Sequence, residues 1–539
     1  MDTPAVVNTP VSLLGGWQNL PLLIAGLLSL LLLSTLTKAL YNLHLHPLHA
    51  HPGPTLAACT DLVYWLHFLR GDLHLWLYAL HAQHGETVRF GPDRLSFITP
   101  AAWKDIYGHR SAARKTAPPA KDPKFYLGSK HGGDDDGAEG DRPSLTGILD
   151  DVAHAQVRRI FAHAFSDRGL RAQEPLIRGY VDQLVASLRA RAGRGEAFDV
   201  VKMYNCTTFD VMGDLTFGEG LGLLERSELN GWVGALFRGI KGAVLGQMSR
   251  EYPLLGKLVY LLVPAGLKRM MEEHQQYTRE RVRRRLEKQG SGLERPDIWG
   301  LVLKQEEGKG LTLKEMNAQA SLFMIAGTET TATLLSGLTF LLLKNPDKYE
   351  RLVGEIRGSF VSEDELTIEN LRKLQYMHAC FEEGFRIYPP VPIGLPRVIP
   401  DGGASVAGQW VPGQVSRFHT KEELTHANTR AQQTRVSIPQ WAAYRSSFNF
   451  QDPLSFIPER WLPEGGFESD RKDILQPFSI GPRNCLGQNL AYHEMRLILA
   501  KVLWHFDLSM GPENDGWLDQ KCFALWEKHP LMLKAIARK

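Results

Sequence analysis

Between Thr3 and Thr37 the chain has no charged residue, and within that stretch Leu20 to Leu36 (LPLLIAGLLSLLLLSTL) is almost wholly apolar. With its flanks this run reaches the length of about twenty residues that a helix needs to span a bilayer. It lacks the basic flank and the small-x-small site of a cleaved signal peptide. It therefore reads as a retained anchor, with residues 1–18 an N-terminal tail and 19–40 a single transmembrane helix. Lys38 follows the run, which by the positive-inside rule leaves the C-terminal side in the cytosol. Residues 41–60 contain Pro47, Pro52 and Pro54 and read as a semi-rigid, proline-rich hinge. The histidines of this stretch, His44, His46, His49 and His51, have no cysteine or carboxylate beside them, so a polar juxtamembrane segment outweighs a metal site.

At roughly 150 residues per domain the length would allow three or four domains. No Ser/Gly-rich or Pro-rich linker divides the chain, however, and residues 61–539 read as one domain. With 43% hydrophobic and 22% charged residues it is not a disordered, collagen-like or polytopic membrane chain. Its net charge of +3, without a long basic run, argues against nucleic acid as a partner. The five cysteines (Cys59, Cys206, Cys380, Cys485 and Cys522) are scattered and form no Cys-x-x-Cys pair. That usage excludes a disulfide scaffold and a zinc knuckle and fits a reducing compartment.

Helical apolar spacing marks Tyr180–Arg191, Tyr277–Lys288 and Leu313–Leu343. Strand-like stretches are short: Thr87–Phe90, Leu95–Thr99, Gln409–Val411 and Val436–Ile438. The expected fold is mainly α with small β-sheets. Ser129–Ser144 is acidic and Gly-rich and reads as a surface loop. Phe217–Gly222 (FGEGLG) mimics a nucleotide loop, but it has no preceding strand or later acidic partner and reads as an ordinary turn.

The sharpest signal is Phe478 to Gly487, FSIGPRNCLG. A lone cysteine is usually a small buried hydrophobe. Cys485, however, sits between Gly481 and Gly487 in a loop that opens onto an expected helix, Gln488–Phe506. Glycines let backbone turn tightly and approach a flat ligand, while a helix N-terminus and backbone N–H groups stabilise a thiolate. Phe-x-x-Gly-x-Arg-x-Cys-x-Gly resembles the haem-binding loop of the cytochrome P450 family. The resemblance covers nearly the whole chain and looks closest to fungal microsomal members that decorate secondary metabolites. It implies the P450 fold behind a single transmembrane helix, haem b as cofactor, and Cys485 as the axial thiolate, a ligand that favours O–O cleavage.

Further residues fit the same resemblance. Ala326–Thr331 (AGTETT) lies in an apolar, hence central, helix where Glu329 and its threonines need a reason. Thr hydroxyls capture carbonyls of the preceding turn and bend a helix. Gly327 would leave room for O2 and water. In the family's oxygen-activation motif Thr330 would hydrogen-bond the dioxygen and Glu329 would help relay protons. Glu383 and Arg386 lie three apart on one helix face, and with Arg460 of Pro458–Trp461 (PERW) they match the family's structural charge triad. Propionates need cations. His154 and Arg158 share a helix face, and with Arg397 and Arg483 they are the expected contacts, although the family more often has Trp at the position of His154. Phe478, Gly481 and Gly487 complete the cofactor-binding set.

The pattern breaks once. After Val411-Pro412-Gly413 the family continues shortly into a strand, here Val436-Ser437-Ile438-Pro439, yet the polar stretch Gln414–Arg435 intervenes. Removing the nineteen residues Val415–Gln433 restores VPGQTRVSIP. Val-Ser is encodable as the splice donor GTGAGT, and Gln as the acceptor CAG. A retained intron is therefore one reading, and a real surface loop the other.

The resemblance implies a monooxygenase that inserts one oxygen atom of O2 into a lipophilic small molecule, hydroxylating or epoxidising it. With no flavin or NADPH domain in sight, a separate NADPH-cytochrome reductase would supply electrons. The site would be the endoplasmic reticulum membrane, the catalytic domain cytosolic. A haem-thiolate isomerase or dehydratase is the first alternative, opposed by the Glu329-Thr330 pair. A non-catalytic membrane-bound haem or lipid binder is the second. The pocket would draw on Ala113–Ser144, Phe237–Met248 and residues after Pro390, an apolar lining that indicates a lipophilic ligand without identifying it.

Overall fold

The computed structural model describes residues 20–109, 117–126, 143–228, 242, 244–252, 265–288, 297–302, 310–413 and 433–538. The tail 1–18, most of Ser129–Ser144, parts of the expected pocket stretches Ala113–Ser144 and Phe237–Met248, and residues 414–432 lie outside the described residues.

The apolar run forms one helix, Leu20–His44, exposed from Leu20 to Lys38 and long enough to cross a membrane. It runs past residue 40 into the stretch read as hinge. The first proline, Pro47, disfavours helix only in the residue before it, so helix propagates until Leu45 and His46 both turn their N–H groups onto the carbonyl of Tyr41. A second short helix, Thr55–Cys59, follows Pro54. The end of the long helix is fastened to the body. Asn42 Nδ2 donates to the Cys59 carbonyl at 3.1 Å, and Arg89 Nη1 donates to the Asn42 carbonyl at 2.9 Å.

Helices make up most of the body, as expected. Tyr180–Arg191 is part of Asp167–Gly193, which Ser166 caps by accepting from the Gly169 N–H. Tyr277–Lys288 falls, but for its last residue, in Ala265–Glu287. The stretch Leu313–Leu343 is two helices rather than one, Leu313–Ala326 and Glu329–Lys344. The first starts with a Thr312/Glu315 capping box. The break at Gly327-Thr328 has a chemical cause. Thr328 bonds the Met324 carbonyl, Thr330 the Ala326 carbonyl at 2.8 Å, and Thr331 the Gly327 carbonyl at 3.0 Å. Three hydroxyls thus compete with the helix ladder within one turn. Gly327 also makes room for a neighbouring helix. A Cβ there would lie 2.9 Å from Met212 Sδ, so the glycine allows the buried helix Val200–Phe217 to pack closely.

The main sheet has five strands in the order β1 (Thr87–Gly91), β2 (Arg94–Phe97), β8 (Arg435–Ser437), β5 (Arg397–Val398) and β3 (Ala120–Lys121). β8 pairs parallel with β2, Leu95 opposite Val436, and antiparallel with β5, Arg397 opposite Val436. The strand after the anomalous stretch therefore does cross the core. β6 (Ala404–Val406) and β7 (Gln409–Val411) form a separate hairpin. At the C-terminal end β12 (Met532–Ala537) lies between β4 (Phe198–Asp199) and β9 (Phe506–Met510), and β10 (Lys521–Phe523) pairs with β11 (Leu525–Glu527).

The expected charge triad ties the helix Gln375–Ile387 to the turn Pro458–Trp461. Arg386 meets both oxygens of Glu383 at 2.8 Å, and Arg460 Nε reaches Oε1 at 3.2 Å. The carboxylate also accepts from the Ile457 N–H at 2.7 Å and from Trp461 Nε1 at 2.9 Å. Arg460 pairs in addition with Asp470, and every one of these charges is fully buried. Removing one partner of such a cluster leaves an uncompensated buried charge, a loss of about 3–5 kcal/mol. Arg460→Leu is expected to lower the unfolding temperature by many degrees and to reduce the yield of folded protein. An unchanged thermal transition would contradict this role. The arginines hold the Glu383 carboxyl below its usual range against the effect of burial. Its stabilisation is thus complete above the ordinary glutamate range and is lost only as pH falls through the depressed folded value.

Candidate active site

The cysteine loop is built by backbone. Ser479 (φ +59°) and Gly481 (φ +78°) both adopt the left-handed region, and a Cβ on Gly481 would lie 2.1 Å from the Tyr107 carbonyl. The turn Gly481–Arg483 follows, Cys485 N–H donates to the Phe478 carbonyl at 2.9 Å, and the helix Gln488–His505 begins after Gly487. Phe478 packs its ring against Phe385 and Tyr492, each centroid 5.2 Å away. Cys485 has accessible surface although protein surrounds it, as a side chain lining an interior space would. Burial pushes its thiol up, while the Gly487 N–H and Arg158 oppose that push, the two influences that favour a thiolate.

The expected cations converge on this loop with different partners. Arg158 grips Asn484, the neighbour of Cys485, at its carbonyl and at Oδ1, both 2.7 Å. Arg483 is engaged by protein groups. It donates to the carbonyls of Ile148 (2.7 Å) and Leu149 (2.6 Å) and pairs with Asp151 at 2.7 Å. It therefore fastens the loop to the start of the helix Asp151–Ala162, whose first residue is the carboxylate it pairs with. His154 is buried, and burial together with Arg483, Lys121 and Arg158 lowers its pKa to about 3. These surroundings favour the neutral ring, which can still donate a hydrogen bond.

Arg397 is buried with its Nε unpartnered among the described residues, its guanidinium 5.4 Å from the Tyr107 ring centre. Directly opposite it in the β3–β5 ladder stands Lys121, a residue that sequence reasoning missed. Lys121 Nζ donates to the Thr146 carbonyl at 2.6 Å, and burial with Arg483 and Arg397 lowers its pKa to about 7. Like charges paired across a ladder are unfavourable without an anion nearby. This orphaned donor and the cations around it fit a group carrying carboxylates, as haem does. Nothing local marks Lys121 in the sequence, since its strand is two residues long and its partner is distant.

The broken helix supplies the third component. Ala326 is exposed and Thr330, one turn on, partly so. Phe323 of this helix packs 5.8 Å from Phe165, the side chain nearest Gly487 of the cysteine loop. Glu329 is buried on the adjacent helix face and is paired there with Lys528, a second residue missed from the sequence. Burial raises the Glu329 pKa and Lys528 lowers it.

The Cytochrome P450 family model matches residues 147–413 and 431–534. A cytochrome P450 monooxygenase of Gibberella moniliformis, FUM2, is 52% identical over 92% of this chain and 99% of its own length. A cytochrome P450 monooxygenase of Alternaria alternata, AMT3, is 46% identical over 94% of this chain and 98% of its own. The averantin hydroxylase of Dothistroma septosporum is 40% identical over 94% and 90%. With more than half of its length matched and relatives of this similarity aligned end to end, the chain belongs to the cytochrome P450 family and is a haem-thiolate monooxygenase.

Proposed function

We propose that Cys485 is the axial thiolate of the haem, with Arg158 and Arg397, Lys121, neutral His154 and the remaining donor capacity of Arg483 around its carboxylates. The observation that carries this is the loop itself. Its left-handed turn, Phe478 carbonyl and Gly487 N–H hold one accessible thiol where a helix begins. When bound, the haem supplies the oxygen-activating redox chemistry. The protein's own part is to bind, orient and deliver protons. Thr330 would present its hydroxyl from the break, and Glu329 would carry protons from the interior. Phe478, Gly481 and Gly487 shape the bed.

On this reading the substrate is a lipophilic small molecule, in keeping with relatives named as monooxygenase and hydroxylase, and the pathway is fungal secondary metabolism. The helix Leu20–His44 anchors the protein in the endoplasmic reticulum membrane with its body, residues 61–539, in the cytosol, and an NADPH-cytochrome reductase supplies electrons. Reconstitution with such a reductase, O2 labelled with oxygen-18 and a panel of lipophilic compounds tests this. One labelled oxygen atom should appear in a product. Thr330→Val should keep NADPH consumption but divert most of it to hydrogen peroxide. Conversion of substrate without labelled oxygen would contradict the reading and favour the isomerase alternative.

A further inference from the structure

Lys528 lies between β11 and β12, 199 residues from Glu329 in sequence. Its side chain is 4% exposed and that of Glu329 2%. Nζ binds Glu329 Oε1 and donates to Thr333 Oγ1 at 2.7 Å, while the Thr333 hydroxyl stands 3.4 Å from the same Oε1. The other carboxylate oxygen, Oε2, is buried without a hydrogen-bond partner among the described residues. Tyr388 also senses this charge, and its hydroxyl is committed to Gln520 Oε1 at 2.6 Å. A buried ion pair is by itself a poor stabiliser, since desolvation offsets the attraction. This pair is also asymmetric, one oxygen held twice and the other left bare.

We propose that Lys528 is the positioning residue for proton traffic through Glu329. It clamps Oε1 and leaves Oε2 as the atom that exchanges protons. A proton from water binds Oε2 and gives the neutral acid. The acid then releases it toward the face of Ala326 and Thr330, the carboxylate returns to Lys528, and no electrons move at these residues. This rests on the reading of Glu329 as a proton carrier given above.

The test is an infrared pH titration of the full-length, haem-loaded protein, with Glu329→Gln subtracted to isolate the Glu329 carboxyl band. Lys528 holds the Glu329 pKa down through its charge and its hydrogen bond. Lys528→Met should therefore move the midpoint of that band up by at least one pH unit, a tenfold change in proton affinity, and Lys528→Arg should restore it. Lys528→Gln, which keeps length and polarity, should shift the midpoint in the same direction if the methionine variant does not fold. Peroxide released per NADPH without added substrate should rise several-fold in Lys528→Met. It should rise no further when Lys528→Met is added to Glu329→Gln, because the two residues act as one unit. A wild-type midpoint and wild-type peroxide release in Lys528→Met, with Glu329→Gln still leaking peroxide, would overturn the clamp alone. Glu329→Gln with wild-type peroxide release would overturn the proton-carrier reading beneath it.

Discussion

Cys485→Ser is expected to leave a folded chain that has lost NADPH-driven turnover to background. The change replaces one atom, in a loop whose shape comes from Ser479, Gly481 and the Phe478 carbonyl, none of which depends on the sulfur. Thermal unfolding of the haem-free protein should therefore shift little. A hydroxyl is far less acidic than a thiol and does not supply the electron-rich ligand that favours O–O cleavage. Haem content and turnover measured together check the claim. Wild-type turnover in the serine variant would place the ligand elsewhere.

The second large effect concerns the anomalous stretch. A chain lacking residues 414–432 is expected to fold and to bind haem at least as well as the full chain. The flanks already meet, with Thr434 N–H donating to the Gly413 carbonyl at 3.1 Å. One intervening residue bridges such a bond in a three-residue turn. Because both Gln414 and Gln433 are glutamine, deleting 414–432 or 415–433 yields one and the same chain. That chain keeps a glutamine where Gln433 now reaches Asp401 at 2.7 Å. The family model also stops at 413 and resumes at 431. Haem content per folded chain, compared between the two lengths, checks this. Loss of folding in the shortened chain would make the stretch a structural part of this protein, and transcripts that carry its codons in the main messenger would remove the intron reading.

How much of this was legible beforehand depended on whether the determining interactions are local. The cysteine loop was readable because its turn demands glycine at Gly481, where any Cβ meets the Tyr107 carbonyl. Glu383 and Arg386 were readable because three residues of helix bring them together. The break at Gly327 was foreseeable as a bend from its threonines, but full interruption needed three of them to capture carbonyls at once. The packing of Met212 against Gly327 was not readable, because Met212 comes from a helix more than a hundred residues earlier. Lys121 and Lys528 were invisible for the same reason. One is placed by a two-residue strand paired across the sheet, the other by the C-terminal segment folding back onto the broken helix. The lowered pKa of His154 was likewise unreadable, since it follows first from its burial and then from the cations that the fold gathers around it.

The reduced, carbon-monoxide difference spectrum of the full chain beside Cys485→Ser tests the central assignment most directly. The red-shifted Soret band of a thiolate-ligated haem is expected in the full chain, and its loss in the serine variant. The same thiolate band in both proteins would contradict it.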